Sequence, residues 1–521
     1  MLGKRSKVVD LFDVGNVFSL ELKPTSFYAQ LAKVSSTLFN DEDFAAFYVE
    51  GKGRPSTSPA LLSLAITLQY YDMVSDEEAI DRTAYDLRWA AVLNLHAGSP
   101  LCAKSTLQLF RSHLILHPEV RSIFETSIDE AKRKGLLGKT LKLALDTKPI
   151  IGKGAVKDTY NLLAEGIRKL AHAMATSKTQ NLEDYLKNNE LECYAEGSVK
   201  GNADLDWSDE AHVRKFLTKV VSDAKRLLAE VESNDPKMRE AACLLSQILL
   251  QDIEEKPVPE GAAEAHIKEG TASGRIPSIT DPEMRHGRKS ATKRFNGHKA
   301  DIAVDIDSQI IVAVDVLSGD AGDAANALAQ VEQAEANTGL AVSETSADCA
   351  YGGGQTRKAF EEADRTLYAK VPKAPSNKDT FPKSDFKIDL EAGSVTCPAG
   401  NTVTKSTSTP SGSVYNFGKT CKDCPLKALC TTSKSGRSIS VLEHEALVQK
   451  AREFQATPAG REVLRKRVTV EHALARLGNL GIGQARYFGH IKTRFQLAMS
   501  AAIANFRRTW NWEAAEMASA A

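Results

Sequence analysis

Alternation of apolar and polar positions is clearest in "LKLALD", residues 141–146, where Leu141, Leu143 and Leu145 interleave with Lys142, Ala144 and Asp146. That period of two predicts a strand ending on an acid, with Thr147 to Pro149 as its break. Two more β-rich runs, "HKADIAVDID" and "QIIVAVDVL" (298–317), are almost contiguous and predict a hairpin. A helix is expected over 322–337, a strand over 340–348, a helix in "GGQTRKAFEEA" and a short strand in "TLYAKVP". Residues 1–135 read as helical. Ser58-Pro59 supplies an N-cap and a first-turn proline, and Ser75 with Glu78 and Ser105 with Gln108 form capping-box patterns. A helical stretch over 157–253, interrupted near "NADLDWSDE", is followed by a Pro- and Gly-rich loop or linker at 254–283.

Without two long insertions the order is β-β-β-α-β-α-β-α, which predicts a mixed sheet with helices packed on it. The expected divisions are 1–135 (helical), 136–156 (first part of an α/β domain), 157–283 (helical insertion and linker), 284–375 (central part), 376–445 (cysteine-rich insertion) and 446–521 (C-terminal helices). The three short helices near the N-terminus suit either a helix-turn-helix DNA reader or an ordinary bundle.

With 521 residues the chain exceeds one compact core, and 42% hydrophobic with 26% charged residues is a globular composition. No run of eighteen apolar residues appears and "MLGKRSKVVDLFDVG" has no signal-like apolar core, so a cytoplasmic protein is expected. Net charge is zero, yet residues 285–299 carry six Lys or Arg and no acid, and residues 461–508 carry ten against two Glu. Phe295, Tyr487, Phe488, Phe495 and Phe506 are interleaved with them, which suits a surface that tracks phosphates better than a merely solvated face. The candidate DNA contacts are Arg288, Lys289, Lys293, Arg294, Lys299, Arg467, Arg476, Arg486, Lys492 and Arg494.

Three acids stand out against this scaffold. Asp146 and Asp348 each follow a predicted strand, where α/β sheets place their sites. On neighbouring strands two bare carboxylates repel, and a divalent cation between them removes that penalty. Oxygen-only ligands favour Mg²⁺ or Mn²⁺. Glu471, on a late amphipathic helix with Arg467 one turn earlier, offers a third carboxylate. Two such ions held by three carboxylates suit displacement at a phosphodiester. Taken singly, Asp146 is equally a turn cap, Asp348 an Asx turn, and Glu471 a solvated partner of Arg467.

The joint pattern resembles the DDE transposases of bacterial insertion sequences, over nearly the whole chain. "GRPSTSPALLSLAITLQYYDMVSDEEAIDRTAYDLRWAAVLNL" is similar to an N-terminal domain of one such lineage, and "LALDTKPIIGKGAVKDTYNLL" to its first catalytic motif. "ADCAYGG" resembles the second, and "RVTVEHALARL" the third, in which Arg467 and Glu471 match a Tyr-Arg-Glu-Lys signature. Leu464 stands at its Tyr position and Gly478 at its Lys position, leaving Arg476, Arg486 or Lys492 as substitutes. The resemblance implies an RNase H-like catalytic domain with a mixed five-stranded sheet, beside a helical DNA-binding and dimerisation domain. It implies Asp146, Asp348 and Glu471 as ligands of two Mg²⁺ or Mn²⁺ ions. It implies hydrolysis at the transposon end followed by attack of the freed 3′-OH on target DNA. The implied partners are terminal inverted repeats, target DNA and a second copy of the chain, with no membrane and a place at the bacterial nucleoid. A domesticated nuclease without strand transfer and a non-enzymatic DNA-binding regulator are the alternatives.

Cys397, Cys421, Cys424 and Cys430 fall close together, two of them as a CxxC knuckle, which is the ligand set of a structural Zn²⁺ site. Unligated thiols or a redox pair at 421 and 424 are the other readings. Lys148, two residues past Asp146, either reaches a phosphate or is merely solvated.

Overall fold

A computed structural model describes the chain except for residues 6–21, 52, 97, 118–119, 196, 232–233, 258–262, 291, 372–379 and 521. The boundary expected at 375/376 lies outside the described residues.

Among the described residues, the N-terminal part holds helices α1 (Phe27–Val34), α2 (Pro59–Asp72), α3 (Asp76–Tyr85), α4 (Leu87–Leu93), α5 (Lys104–Leu116) and α6 (Ile123–Arg133). Ser58 Oγ accepts from the Leu61 N–H at the start of α2, and Pro59 takes the first turn, where its missing N–H costs nothing. Ser75 caps α3 in the same way. The pattern at Ser105 does not cap: α5 starts one residue earlier, behind Ala103. The reciprocal capping box is instead at Ser122 and Glu125, opening α6.

The sheet comprises β1 (Leu141–Ile151), β2 (Arg285–Arg288), β3 (Arg294–Asp305), β4 (Ile311–Ser318), β5 (Val342–Ala347) and β6 (Leu367–Ala369). β2 and β4 follow one another along one edge of β3, so the sheet is five strands across, in the order β4–β3–β1–β5–β6. β3 is antiparallel to β1 and β4, whereas β1, β5 and β6 run parallel. β1 differs from expectation. It does not stop at Asp146 but continues through Pro149 to Ile151, paired with β3 (Pro149 with Lys299, Ile151 with Gly297). Proline is tolerated because β5 accompanies β1 only from Leu141 to Ala144, leaving the other edge of this stretch without a strand.

Helices α7 (Thr159–Ser177), α8 (Glu210–Ala229) and α9 (Pro236–Asp252) lie between β1 and β2, α10 (Ala327–Thr338) connects β4 to β5, and α11 (Gly354–Glu362) connects β5 to β6. The chain ends in α12 (Glu445–Ala456), α13 (Pro458–Lys466), α14 (Val468–Asn479) and the long α15 (His490–Ala520). One hydrophobic core joins the N-terminal helices, the sheet and these last helices, running from Phe27 through Leu143 and Ile302 to Trp510. Asn505 of α15 serves the open edge of β4: its Oδ1 accepts the Ile311 N–H (2.9 Å) and its Nδ2 donates to the Ile311 carbonyl (2.8 Å). A side-chain amide thereby supplies what a neighbouring strand would.

The segment between β1 and β2 builds a second core of its own, from Tyr160 through Leu217 and Leu245 to Ile279. Part of the expected linker is ordered structure, since Ile253–Lys256 and Glu264–Ile267 pair as an antiparallel hairpin. A third, small core around Phe386, Tyr415, Phe417 and Ile439 lies in the cysteine-rich segment. Among the described residues no helix is long and apolar enough to cross a membrane.

Candidate active site

The early end of β5 creates the site. Beyond Ala144 the β5 edge of β1 stays open until Ile151, whose N–H donates to the Gly483 carbonyl and whose own carbonyl accepts from Ala485. Asp146 sits in this gap, in mid-strand. Asp348 is the first residue after β5, and its Oδ1 accepts the Ala350 N–H (2.8 Å), capping the 3-10 turn Cys349–Tyr351. Glu471 lies in the first turn of α14, where the helix dipole favours a carboxylate.

Arg467, at the junction of α13 and α14, ties two of these acids together. Its Nη1 donates to Asp146 Oδ2 (3.3 Å) and its Nη2 to Glu471 Oε1 (2.5 Å). The helix pairing expected for Glu471 is present, but the same guanidinium also reaches across to the sheet. Burial pushes the Asp146 carboxyl up to about 6, against the opposing Thr147 N–H bond, with Asp348 adding repulsion and Arg467 attraction. Glu471 is half exposed, at 51% of its side chain. The donors round the gap are all oxygens, the chemistry that Mg²⁺ or Mn²⁺ prefers. Among the described residues, however, no three or more His, Cys, Asp or Glu side chains are arranged to hold a metal ion.

A deeper acid lies behind the gap. Asp301 of β3, opposite Thr147 in register, is buried and accepts from Gln330 Nε2 (2.9 Å). Burial, with Asp315 and Asp323 adding, pushes its carboxyl up to about 7. The hydroxyl of Tyr351 is buried nearby with no hydrogen-bond partner, close enough to Asp301 and Asp146 for their charges to bear on it. Neither residue was among the sequence candidates. An acid inside the apolar alternation "ADIAVD" was the available signal.

The basic candidates separate into two groups. Arg288, Lys289, Lys293 and Arg294 are exposed at the tip of the β2–β3 hairpin, and Lys492 is exposed on α15. The others are engaged internally. Lys299 is buried, with its Nζ on the Ala321 carbonyl and on Asp323 Oδ1 (2.7 Å). Arg476 donates to the carbonyl and side chain of Gln309, and Arg486 donates to the Val74 carbonyl and lies over Tyr70. Arg494 is half exposed and pairs with Asp315 (3.3 Å).

Cys397, Cys421, Cys424 and Cys430 line one cavity together with Phe386 and Phe417. Burial pushes the Cys430 thiol up, and the other three thiols lie near enough to add to this.

Two family models match the chain. Residues 396–510 match a transposase DDE domain and residues 18–113 a transposase domain designated DUF772. The first match contains Arg467, Glu471 and the four clustered cysteines; Asp146 and Asp348 lie outside both. No curated protein and no solved structure matches the chain.

Proposed function

We propose that this chain, which its two matched domains support as a DDE transposase of an insertion sequence, cuts phosphodiester bonds at the ends of its element and joins the freed 3′-OH to target DNA. The observation that carries the reading is the bridge made by Arg467 between Asp146 and Glu471, with Asp348 beside Asp146. Arg467 links Asp146 of the sheet with Glu471 of α14, and the charge of Asp348 is felt at Asp146, which supports reading this gap as an RNase H-like catalytic core. In this reading Asp146, Asp348 and Glu471 hold two Mg²⁺ or Mn²⁺ ions. Bound there, such a pair stabilises charge on the attacking and leaving oxygens of an in-line displacement.

The protein's own groups supply the rest. Arg467, bonded to both Asp146 and Glu471, keeps a positive charge beside the site for the phosphate. The exposed cations of the β2–β3 hairpin track the DNA backbone, a contribution that weakens as salt rises. The N-terminal helices bind the element's terminal repeats, and two copies of the chain bring two ends together.

The test is purified full-length protein with Mg²⁺, a labelled duplex of the DNA flanking its reading frame, and a target plasmid. Cleavage and joined products are expected, with both abolished by Asp348→Asn. Cleavage without joining identifies a nuclease. DNA binding unchanged in the triple acid variant, with no cutting by the wild type, identifies a regulator.

The same reading includes a structural Zn²⁺ on Cys397, Cys421, Cys424 and Cys430, argued from the CxxC knuckle and two further cysteines in the sequence. Elemental analysis of purified protein is expected to find one zinc per chain, lost in Cys424→Ser together with thermal stability. Protein that is folded and zinc-free sinks the assignment.

A further inference from the structure

Lys148 follows Asp146 by two positions on β1, and so projects from the same face of the strand. Its side chain is half-buried. It donates to the Leu474 carbonyl of α14 (3.1 Å), and it lies over Gly478. A Cβ built on Gly478 comes 2.6 Å from Lys148 Nζ, while the next atom of the same side chain is 3.9 Å away. Gly478 has no need of left-handed backbone, for it sits in the helical part of α14 and is absent from the positive-φ glycines. The absence of a side chain at 478 leaves the ammonium room to lie over the helix. Lys289, exposed at the tip of the β2–β3 hairpin, lies near enough for its charge to be felt at Lys148. Two cations within reach of each other's field repel until an anion arrives.

We infer that Lys148, lying over Gly478, contacts the DNA phosphate next to the bond being cut, and that the β1 strand thereby supplies the cation which α14 lacks at position 478. Being on the same strand as Asp146, it fixes the distance between phosphate and acid through two residues of extended backbone rather than through a mobile helix side chain. A single carbonyl uses only one of the three donors of an ammonium, so two remain for phosphate oxygens. The inference rests on the transposase reading for the chemistry, but not for the contact itself.

Two measurements on the full chain separate these. In the first, salt dependence of binding to a non-specific duplex is compared between wild type and Lys148→Met. The slope of log affinity against log salt is expected to fall by about one contact, roughly 0.9. In the second, cleavage of the labelled flanking duplex is compared among wild type, Lys148→Met, Gly478→Lys and the double variant. Lys148→Met is expected to lose roughly 10- to 100-fold, the worth of one charge-assisted hydrogen bond. Gly478→Lys alone is expected to lose activity because the added ammonium repels Lys148 and displaces it from its place over the helix. The double variant, which puts the cation back from the helix side, is expected to regain most of it. A merely structural tether to Leu474 predicts no such rescue. An unchanged salt slope with unchanged cleavage in folded Lys148→Met overturns the inference, as does a folded double variant no better than Lys148→Met. If the wild type does not cut at all while the slope still falls, the transposase reading fails and the Lys148 contact stands.

Discussion

Asp146→Asn is expected to stop strand cleavage and at the same time to make the folded protein more stable at neutral pH. The first effect follows from the proposed role of Asp146 as a cation ligand, whose loss would remove several kcal/mol of transition-state stabilisation, ~10³-fold or more in rate. The second follows from burial. A free aspartate ionises near pH 4, whereas in the fold this carboxyl is pushed up to about 6. Between those values the folded state holds the proton more often than the unfolded state, so unfolding free energy falls as pH rises. Across about 2 units the loss amounts to roughly 3 kcal/mol, complete above pH 6. An asparagine carries no charge to desolvate and keeps the acceptor for the Thr147 N–H. Thermal unfolding of both proteins at pH 5 and pH 7.5 checks this: the variant's advantage is expected to be larger at pH 7.5. A variant that still cuts, or an advantage that does not shrink at pH 5, contradicts the assignment of Asp146.

Asn505→Leu carries the largest expected loss of stability. The side chain is buried, and both polar groups of Ile311 depend on it. Leucine has a similar size but leaves a backbone N–H and a carbonyl buried without partners, at about 1–3 kcal/mol each. Asn505 also donates to Ser127 Oγ (3.1 Å), so α6, α15 and the sheet edge meet at one amide. The midpoint of thermal unfolding is expected to drop by several degrees. Ser127→Ala, which removes only one of the three contacts, is expected to lose less. Equal stability of Asn505→Leu and wild type removes the amide from this role.

These effects show how far the chain was legible before its structure. Periodicity located the strands, because alternation records which face is buried. The cap at Ser58 and Pro59 was legible because its chemistry is local. The continuation of β1 through Pro149 was not, since tolerance of proline depends on which neighbour strand is missing, a fact held two hundred residues away in β5. The three acids could be named from their setting, but the bridge by Arg467 between strand and helix is a tertiary contact without a local signal. Charge runs misled in one respect: Lys299, Arg476 and Arg486 look like free cations in sequence, yet each is engaged by a carbonyl or carboxylate inside the fold. Asp301 was passed over because a single acid in an apolar strand reads as an exposed residue until its partner Gln330 is seen.

The shared core of first and last helices bears on how the protein is made. Tyr70 of α2 meets Tyr487 hydroxyl to hydroxyl (3.0 Å), and Phe27 of α1 packs against Trp510 of α15. A ribosome adding roughly 5–20 residues per second therefore releases the N-terminal helices long before their apolar partners exist. The central strand β1 likewise waits for β3 until the intervening helical segment has been translated. Glu471 and α15 come last, so a nascent or truncated chain has neither a closed core nor a complete set of acids. For the proposed reaction, competence to cut comes only after α14 and α15 have been made, a safeguard against shorter nascent chains acting on the DNA from which they are being expressed.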